Sequence, residues 1–470
     1  MANTKIVATL GPSSNSLEAI RSLLVEGVNV FRLNMSHGTQ EEQGSRIKYV
    51  RQAASETGQN AAILVDLQGP KIRLGRFENG GCVLETGHEF IITVENVIGT
   101  AAKASCSYAD FARDVRPGSR VLLADGSVVL SVLSSDGIAA RCQVVVGGPI
   151  SDRKGINMPD VQVNIPSMTK KDIADLRFAL ESGIDMVALS FVRKRDDILR
   201  LRAHLEDAEV TVPIISKIEK PDAVQNLEEI LDESDGVMVA RGDLGVEMAV
   251  ERVPSIQKAI IRRARKKGKF VITATQMLES MIDHPFPTRA EVSDVANAIY
   301  DGTDAVMLSA ETSVGKYPLE AVRMMARIAV EAETSVRFRD LPQRDAPIFA
   351  DIVADAAYRA AQSANAKAIV VFTATGSTAR LVSRYRPPVP IYAFTSNEVA
   401  ARQMAVIYGV RAVLAPETTS TDAMLNLLDL SLMQNGVLKK GDTVIFVAGQ
   451  PIGRAGTTNL LKLHRVGELH

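Results

Sequence analysis

Short apolar runs alternate with longer segments of helical periodicity along most of the chain, a pattern typical of parallel strands connected by helices. Eight runs in the first two thirds of the chain are followed by polar residues: KIVAT, VNVFRLN, AAILVDL, DMVALSFV, PIISKIE, GVMVARGD, FVITATQ and AVMLSAE. Stretches such as AAILV and FVITA suit strands that are buried on both faces. The pattern predicts an α/β fold built on a closed (β/α)8 TIM barrel.

The helical pattern is interrupted between the third and fourth runs, from about Lys71 to Pro166. SRVLLADGSVVLSVL and GIAARCQVVVGG resemble short antiparallel strands joined by Asp-Gly turns. We interpret this segment as a small β-barrel domain inserted near the barrel mouth. In that position it could act as a lid.

A second strand and helix pattern begins near residue 341 with a helix, followed by AIVVFTATGST, VPIYAFTS, VRAVLAP and DTVIFVAG. This spacing predicts an open α/β domain. The expected organisation is therefore a barrel over residues 1–70 and 167–340, an inserted domain over 71–166, and a C-terminal regulatory α/β domain over 341–470.

The composition favours a cytoplasmic globular protein of two or more domains. Of 470 residues, 46% are hydrophobic and 23% charged, and the formal net charge is -1. This balance argues against nucleic acid as a partner, and the basic run at 262–267 is interpreted as the solvated end of a helix. Three widely spaced cysteines suit neither a disulfide framework nor a zinc site. No leader pattern or membrane-spanning apolar run is seen.

Polar side chains cluster where the predicted barrel strands end, which is the catalytic face of such barrels. Residues two apart on a strand point the same way, which groups these side chains into rows. The polar residues at strand ends are Arg32, Asn34, Ser36, Asp66, Lys217, Glu219, Arg241, Asp243, Thr275 and Glu311. Any one pair is equally well explained as a structural ion pair, but charges from four or more strands on one rim indicate a site.

The residue types at this rim suit a small, doubly anionic substrate. Glu219 and Asp243 offer hard oxygen ligands for Mg²⁺, and Lys217 could stabilise a phosphoryl group in transit. The backbone N–H groups of Ala240, Arg241 and Gly242, at the predicted start of a helix, could receive a carboxylate.

Long motifs in this order resemble those of the pyruvate kinases, in their bacterial three-domain form, over nearly the whole chain. They are TKIVATLGP, FRLNMSHG, DLQGPKIR, IISKIEK, MVARGDLGVE, ITATQMLESM, PTRAEVSDVANAIYDGTDAVMLSAET and GKYP. The resemblance implies Mg²⁺-dependent phosphoryl transfer between phosphoenolpyruvate and ADP, giving pyruvate and ATP, with Mn²⁺ as a substitute ion. It also implies a homotetramer.

The resemblance further assigns roles to individual residues. Arg32 would contact the transferring phosphoryl group, Lys217 would stabilise it, and Glu219 with Asp243 would hold the metal. Gly242 and Thr275 would complete the substrate carboxylate pocket, and Thr275, with Ser309 and water, would deliver the proton to enolpyruvate. The residues implied for the nucleotide are Arg73, Lys154, His37 and Pro12.

One departure from the family concerns the potassium ion that many members require. The residues matching that site are Asn34, Ser36, Asp66 and Leu67, where the leucine replaces a threonine. Lys71 replaces a glutamate, and its ammonium could supply the positive charge of the ion. We therefore expect activity without added potassium; the alternative is that Lys71 is a surface charge on a hinge.

A second site is expected in the last domain, where FTATGST resembles a loop that binds a phosphorylated effector in family members. The expected residues are Thr373, Thr375, Gly376, Ser377, Thr378 and Arg454. Ala374 stands where some members have a lysine, so a sugar or nucleotide monophosphate is as well suited as fructose 1,6-bisphosphate. The alternative is an ordinary strand-to-helix turn.

Two other functions fit the sequence. A magnesium-dependent aldolase or lyase of the same barrel type could use similar Glu, Asp and Arg residues but would need no nucleotide lid. A non-catalytic sensor could bind a metabolite through FTATGST, although Lys217, Glu219, Asp243 and Thr275 argue for a working site.

Overall fold

The computed structural model describes residues 2–159, 161, 163, 165–335, 348–452 and 456–468. Its strands are β1 Lys5–Thr9, β2 Val28–Asn34, β3 Ala62–Asp66, β4 Gly81–Leu84, β5 Glu89–Thr93, β6 Lys103–Ser105, β7 Arg120–Leu123, β8 Val128–Ser135, β9 Ala139–Val146, β10 Gly148–Ser151, β11 Ile156–Asn157, β12 Met186–Leu189, β13 Ile214–Ile218, β14 Gly236–Ala240, β15 Phe270–Ala274, β16 Ala305–Leu308, β17 Ala368–Phe372, β18 Ile391–Thr395, β19 Val410–Leu414, β20 Thr443–Gly449 and β21 Thr458–Arg465.

The α-helices are α1 Leu17–Val25, α2 Gln40–Thr57, α3 Phe111–Asp114, α4 Lys170–Glu181, α5 Arg195–Asp207, α6 Pro221–Gln225, α7 Leu227–Glu233, α8 Arg241–Glu247, α9 Val253–Lys266, α10 Arg289–Asp301, α11 Ala310–Ser313, α12 Pro318–Ser335, α13 Phe349–Ser363, α14 Ser377–Ser383, α15 Glu398–Gln403 and α16 Thr421–Gln434. Short 3-10 helices lie at Pro12–Ser14, Glu78–Gly80, Val250–Arg252, Glu279–Ile282 and Met404–Val406. None of the described helices is long and apolar enough to cross a membrane.

A closed barrel of parallel strands forms the centre of the molecule. Its order is β1-β16-β15-β14-β13-β12-β3-β2, and each of the eight predicted runs supplies one strand. The predicted fold class is therefore confirmed. Every residue of β3, β14 and β15 is buried, because each strand faces the barrel interior on one side and the helix layer on the other. The carboxyl ends of all these strands open at one mouth.

Local sequence signals set the ends of the barrel helices. α2 begins with a capping box, in which Thr39 Oγ1 accepts from Glu42 N and Glu42 Oε2 accepts from Thr39 N. Thr288 and Glu291 repeat this arrangement at the start of α10. α10 is capped at its carboxyl end by Gly302, whose φ of +93° lies in the left-handed region that glycine adopts most easily.

The inserted domain consists of strands β4–β11 and helix α3, between β3 and β12. Six strands pair in the order β11-β7-β8-β9-β5-β6, and β10 pairs with β4. Their inward side chains form a separate core that includes Phe90, Phe111 and Leu130. The four-residue turn between β7 and β8 has positive φ at Ala124, Asp125 and Gly126.

The C-terminal domain is an open sheet in the order β19-β18-β17-β20-β21. The four predicted strands are present and parallel, but β21, which runs antiparallel to β20, was not predicted. It pairs with β20 along its whole length and forms the edge of the sheet. The predicted domain boundary at residue 341 lies outside the described residues.

Candidate active site

A cleft of about 340 Å³ lies between the mouth of the barrel and the inserted domain. It is lined by Arg32, Asn34, Ser36, His37, Asp66, Leu67, Gln68, Lys71, Arg73, Asp125, Arg153, Lys154, Gly155, Ser190, Phe191, Lys217, Glu219 and Asp243. Most of the residues expected at the strand ends therefore face one space. The inserted domain covers that space from the opposite side.

Arg32, on β2, is held by a carboxylate on the neighbouring strand. Its Nε and Nη2 lie 2.8 and 2.6 Å from Asp66 Oδ2, and its Nη1 donates to Thr9 Oγ1 at 3.1 Å. Burial alone would raise the pKa of Asp66, but Lys217 and Arg32 more than offset that effect and lower it. Asp66 is consequently an anion that orients two cations.

Lys217, on β13, lies at the centre of the polar cluster. Its Nζ donates to Ser190 Oγ at 2.8 Å and lies 3.2 Å from Glu219 Oε2 and 3.6 Å from Asp66 Oδ1. Burial alone would lower the pKa of Lys217, but the carboxylates of Asp66, Glu219 and Asp243 raise it above its usual range. Lys217 is thus a permanent positive charge pointing into the cleft.

Glu219 keeps one carboxylate oxygen available. Its Oε1 accepts from Phe191 N at 2.6 Å, whereas its buried Oε2 accepts no hydrogen bond from the described residues, although Lys217 Nζ is near. Burial, opposed by Lys217 and assisted by Asp243, raises the pKa of Glu219. Glu219 Oε2 is therefore paired with the Lys217 ammonium by charge but not by a hydrogen bond, and it remains free to bind a further cation in the cleft.

A divalent cation fits this arrangement. Glu219 and Asp243 line the same cleft, and Asp243 lies on the first turn of α8 with its side chain exposed to that space. No group of three or more ligating His, Cys, Asp or Glu side chains occurs among the described residues. An ion held here would therefore take its remaining ligands from substrate and water, as Mg²⁺ commonly does.

Arg241 differs from its expected position. β14 ends at Ala240, so Arg241 and Asp243 lie on the first turn of α8 and do not form a strand row. The Arg241 side chain turns away, with Nη1 2.7 Å from both carboxylate oxygens of Asp294 and Nη2 2.9 Å from the Thr275 carbonyl oxygen. It does not line the cleft, so only the backbone of Arg241 is near the predicted substrate region.

Gly242 and Thr275 lie in close contact beside the cleft. Gly242 N donates to Thr275 Oγ1 at 2.7 Å, and a Cβ at Gly242 would lie 3.3 Å from that oxygen. Thr275 has a φ of +67°, which is strained for a β-branched residue. Such strain is often retained at functional positions.

The loops after β15 and β16 are joined by Glu311. Its oxygens accept from Leu278 N at 3.1 Å and from Ser309 N at 2.7 Å, and burial raises its pKa. For Glu311 the structural interpretation is therefore the better one. Ser309 Oγ is buried without a hydrogen-bond partner among the described residues.

Three of the four residues predicted for the nucleotide line the cleft. Arg73 and Lys154 approach from the inserted domain, and Arg73 Nη1 donates to Arg153 O at 3.0 Å. Burial, together with Arg73, Lys71 and Arg32, lowers the pKa of His37, so His37 is neutral at pH 7. Pro12 lies exposed on a 3-10 helix and is not among the described residues that line the cleft.

The residues matched to the monovalent site share the same cleft. Asn34 Oδ1 accepts from Ser36 N at 3.1 Å, and Asp66 pairs with Arg32. The Leu67 side chain packs in the apolar layer between the barrel strands and the surrounding helices, with 1% of its surface exposed. Lys71 is half-buried, and no carboxylate of the described residues lies within 4.0 Å of its ammonium nitrogen.

Ser190 and Phe191 were not predicted, although they follow β12. Ser190 Oγ connects Lys217 Nζ to Leu67 O, to which it donates at 2.7 Å. The serine in DMVALSFV was a usable signal, because it directly follows the strand, as Glu219 does. The role of Phe191 had no such signal, since it depends on a φ of +56° that directs its N–H at Glu219.

A separate cavity of about 290 Å³ lies in the C-terminal domain. Thr373, Thr375, Ser377 and Thr378 line it, and Gly376 N donates to Thr373 Oγ1 at 3.0 Å. The other predicted residue of this site, Arg454, lies outside the described residues. No Lys or Arg occurs among the described residues that line the cavity.

Comparison with known proteins finds relatives of one family over nearly the whole chain. Residues 1–322 match the family described as pyruvate kinase, barrel domain, and residues 351–464 match pyruvate kinase, alpha/beta domain. A pyruvate kinase of Geobacillus stearothermophilus is 46% identical over 99% of this chain and 81% of its own length. One of Corynebacterium glutamicum is 46% identical over 99% and 98% of the respective chains.

The fold gives the same result. The crystal structure of a pyruvate kinase from Cryptosporidium parvum superposes with a TM-score of 0.93 and 36% sequence identity, covering 99% of this chain and 96% of that one. With matches of this extent in sequence and in fold, the chain belongs to the pyruvate kinase family.

Proposed function

We propose that this enzyme transfers a phosphoryl group from phosphoenolpyruvate to ADP, giving pyruvate and ATP as the last step of glycolysis, with Mg²⁺ as its cofactor. The observation that carries the proposal is the convergence of Lys217 Nζ with Glu219 Oε2, 3.2 Å apart, on a cleft also lined by Arg32 and Asp243. Cations and carboxylates in one covered cleft are what phosphoryl transfer requires, because its catalysis is mainly positioning and charge stabilisation.

Glu219 and Asp243 would hold the divalent ion, with Mn²⁺ as a substitute for Mg²⁺. When bound, the ion supplies positive charge to the substrate oxygens. Arg32 and Lys217 supply further positive charge on the protein side, and both are already oriented by Asp66. These cations need little rearrangement before reaction, which makes their electrostatic contribution large.

The substrate carboxylate would bind where β14 meets α8. Ala240, Arg241 and Gly242 contribute backbone to this corner, and the Thr275 hydroxyl lies 2.7 Å from Gly242 N. Thr275, with Ser309 and water, is the proposed proton donor to enolpyruvate. Arg241 takes part through its backbone alone, since its side chain is bonded to Asp294.

The ADP phosphates would bind beneath the inserted domain. Arg73, Lys154 and His37 border the cleft on that side, with Pro12 retained from the family resemblance as a more distant contact. Closing this domain would exclude water, so that an ADP oxygen is the nucleophile.

Pyruvate production from phosphoenolpyruvate, measured with and without ADP and with and without Mg²⁺, tests the proposal. We expect turnover only when both are present. ADP-independent pyruvate release would instead support a lyase. Absence of turnover, with metabolite binding retained in the C-terminal cavity, would support a sensor.

We also propose that the enzyme does not require potassium. Leu67 offers no side-chain oxygen, and Lys71 contributes a positive charge to the cleft that influences His37. Initial rates in tetramethylammonium chloride should equal those in potassium chloride at matched ionic strength. Strong stimulation by potassium would contradict this proposal.

Allosteric control by a phosphorylated metabolite is proposed for the C-terminal cavity. Its hydroxyl and backbone groups suit a single phosphate, and the sugar or nucleoside part would occupy the remaining volume. Calorimetric titration of the enzyme with ribose 5-phosphate, AMP and fructose 1,6-bisphosphate should show tighter binding of the monophosphates.

We also propose that the enzyme is a homotetramer located in the cytoplasm. Light scattering would test the assembly.

A further inference from the structure

The inserted domain contacts the barrel beside the candidate metal ligands. Asn157, at the end of β11, donates from Nδ2 to Glu247 Oε1 at 2.6 Å. Glu247 is the last residue of α8, the helix whose first turn carries Asp243. The turn between β7 and β8 also approaches this helix, since a Cβ at Gly126 would lie 3.9 Å from Val246. Helix α8 is therefore one of the surfaces on which the inserted domain rests.

The same oxygen of Glu247 receives a second donor. Lys220 Nζ lies 2.6 Å from Glu247 Oε1, and the two side chains are 19% and 2% exposed. A carboxylate buried to this degree is costly without its partners. Glu247 is consequently held by one residue from the inserted domain and one from the loop after β13.

Lys220 links this contact to Glu219, the preceding residue. Its Nζ lies 5.6 Å from the ring centroid of Phe191, within the range of a cation–π contact. The N–H of Phe191 donates to Glu219 Oε1. The Phe191 ring also fills the space where a Cβ at Gly69 would lie, 2.6 Å away, in the segment that leads into the inserted domain.

These residues surround one small cavity of about 60 Å³ beneath the inserted domain. Asn157, Phe191, Glu219, Lys220, Asp243 and Glu247 all line it. Contacts that hold the domain and contacts that hold the proposed metal ligand thus share one space.

We propose that Glu247 is a positioning residue for the reaction. It fixes the inserted domain on α8 through Asn157, and it engages Lys220, so that the ammonium packs on Phe191 and does not become a second cation on Glu219, which already pairs with Lys217. The proposal rests on the proposed role of Glu219 in holding the metal. It assigns Glu247 no contact with substrate.

Three variants test separately the contact of Glu247 with Asn157 and its contact with Lys220. Asn157→Ala removes the hydrogen bond from the inserted domain to Glu247, and Lys220→Met removes the ion pair together with the cation–π contact on Phe191. Glu247→Gln keeps an acceptor for Asn157 but no longer attracts Lys220. The matched control is Gln143→Ala, which removes an exposed amide from β9, three strands away from β11 in the sheet of the inserted domain.

For Asn157→Ala we expect KM for ADP to rise on the order of tenfold, with a smaller change in kcat, as for the loss of a hydrogen bond to a charged group. Hydrogen exchange in β7 and β11 should become faster. Mn²⁺ affinity, measured by calorimetry without substrate, should not change. Gln143→Ala should match the wild type in all three measurements.

For Glu247→Gln we expect Mn²⁺ affinity to fall by roughly tenfold, because the freed Lys220 ammonium then competes for Glu219. Lys220→Met should leave Mn²⁺ affinity near the wild-type value, and Lys220→Met combined with Glu247→Gln should restore it. A merely structural role for Glu247 would not produce this rescue.

The proposal is wrong if Asn157→Ala behaves like Gln143→Ala in hydrogen exchange and in KM for ADP. It is also wrong if Lys220→Met combined with Glu247→Gln remains folded but fails to recover Mn²⁺ binding. A failure of the proposed function would look different. In that case wild-type enzyme would show no ADP-dependent pyruvate formation, or Glu219→Gln would bind Mn²⁺ as well as wild type.

Discussion

The two ends of the barrel both contain buried charges, but they differ in the space around them. At the mouth, Lys217 and Glu219 face a cleft of about 340 Å³, and one Glu219 oxygen accepts no hydrogen bond from the described residues. At the opposite end, where the strands begin and which we call the floor, Arg386 Nη1 lies 2.9 Å from Asp304 Oδ1. The cavity next to this pair measures only about 10 Å³. Buried charge alone therefore does not identify a site.

The floor pairs connect the barrel to the C-terminal domain. Arg386 also donates to Gly302 O at 2.6 Å, and its guanidinium lies 4.5 Å from the Tyr408 ring centroid. Lys5, at the start of β1, donates from Nζ to Val410 O at 2.7 Å. Charges at the floor are thus used for structure, whereas charges at the mouth are available to a ligand.

The largest effect is expected from removing the central cation of the mouth. Lys217→Met should lower kcat on the order of 10³-fold, because a preorganised charge that stabilises the transition state is lost. Coupled assays measure the rate, and far-UV circular dichroism should show an unchanged fold. A rate close to that of the wild type would mean that the buried charge at the mouth, like the charges at the floor, has only a structural role.

At the floor, the corresponding change should act on stability. Arg386→Met leaves Asp304 buried without its partner and should lower the free energy of unfolding by about 3 kcal/mol or more. Denaturant titration followed by far-UV circular dichroism measures this loss. The KM for phosphoenolpyruvate of the folded fraction should stay within twofold of the wild type; a large change in KM would mean that the floor takes part in substrate binding.

A smaller effect is expected from a charge reversal at the mouth. Lys71→Glu removes the ammonium proposed to replace potassium, so the variant should need the ion, with roughly tenfold stimulation by potassium chloride over tetramethylammonium chloride. Lys71→Arg is the matched control and should remain independent of potassium. Equal responses of both variants would contradict the proposed role of Lys71.

The smallest effect concerns the pH dependence of stability at the floor. Burial and Arg411, opposed by Glu333, lower the pKa of Lys5 from 10.5 to about 8. Between these values the unfolded chain binds more protons than the folded one. The Lys5 contribution to the free energy of unfolding should therefore rise with pH, by at most about 1.4 kcal/mol per unit.

Comparison of wild type with Lys5→Met between pH 7 and 10.5 isolates this contribution. We expect the difference in unfolding free energy to be constant below pH 8 and to shift in favour of wild type above it. A difference that does not vary with pH would mean that Lys5 is not buried as described.

Much of the site could be predicted because it follows from strand order. Arg32, Asp66, Lys217 and Glu219 lie at or next to the carboxyl ends of barrel strands, and any closed parallel barrel brings those ends together. The same reasoning failed for Arg241. β14 ends at Ala240, one residue before it, and helical geometry turns the Arg241 side chain toward Asp294.

The sequence by itself determined the barrel, the insertion, the first four strands of the last domain and the set of charged residues at the mouth, because periodicity and strand-end polarity are local properties. Only the tertiary structure decided which charges face open space and which are paired. It also decided that Phe191 directs its N–H at Glu219, and that Asn157 and Lys220 meet on Glu247. Those contacts join residues distant in the chain through backbone angles and packing, which no local pattern encodes.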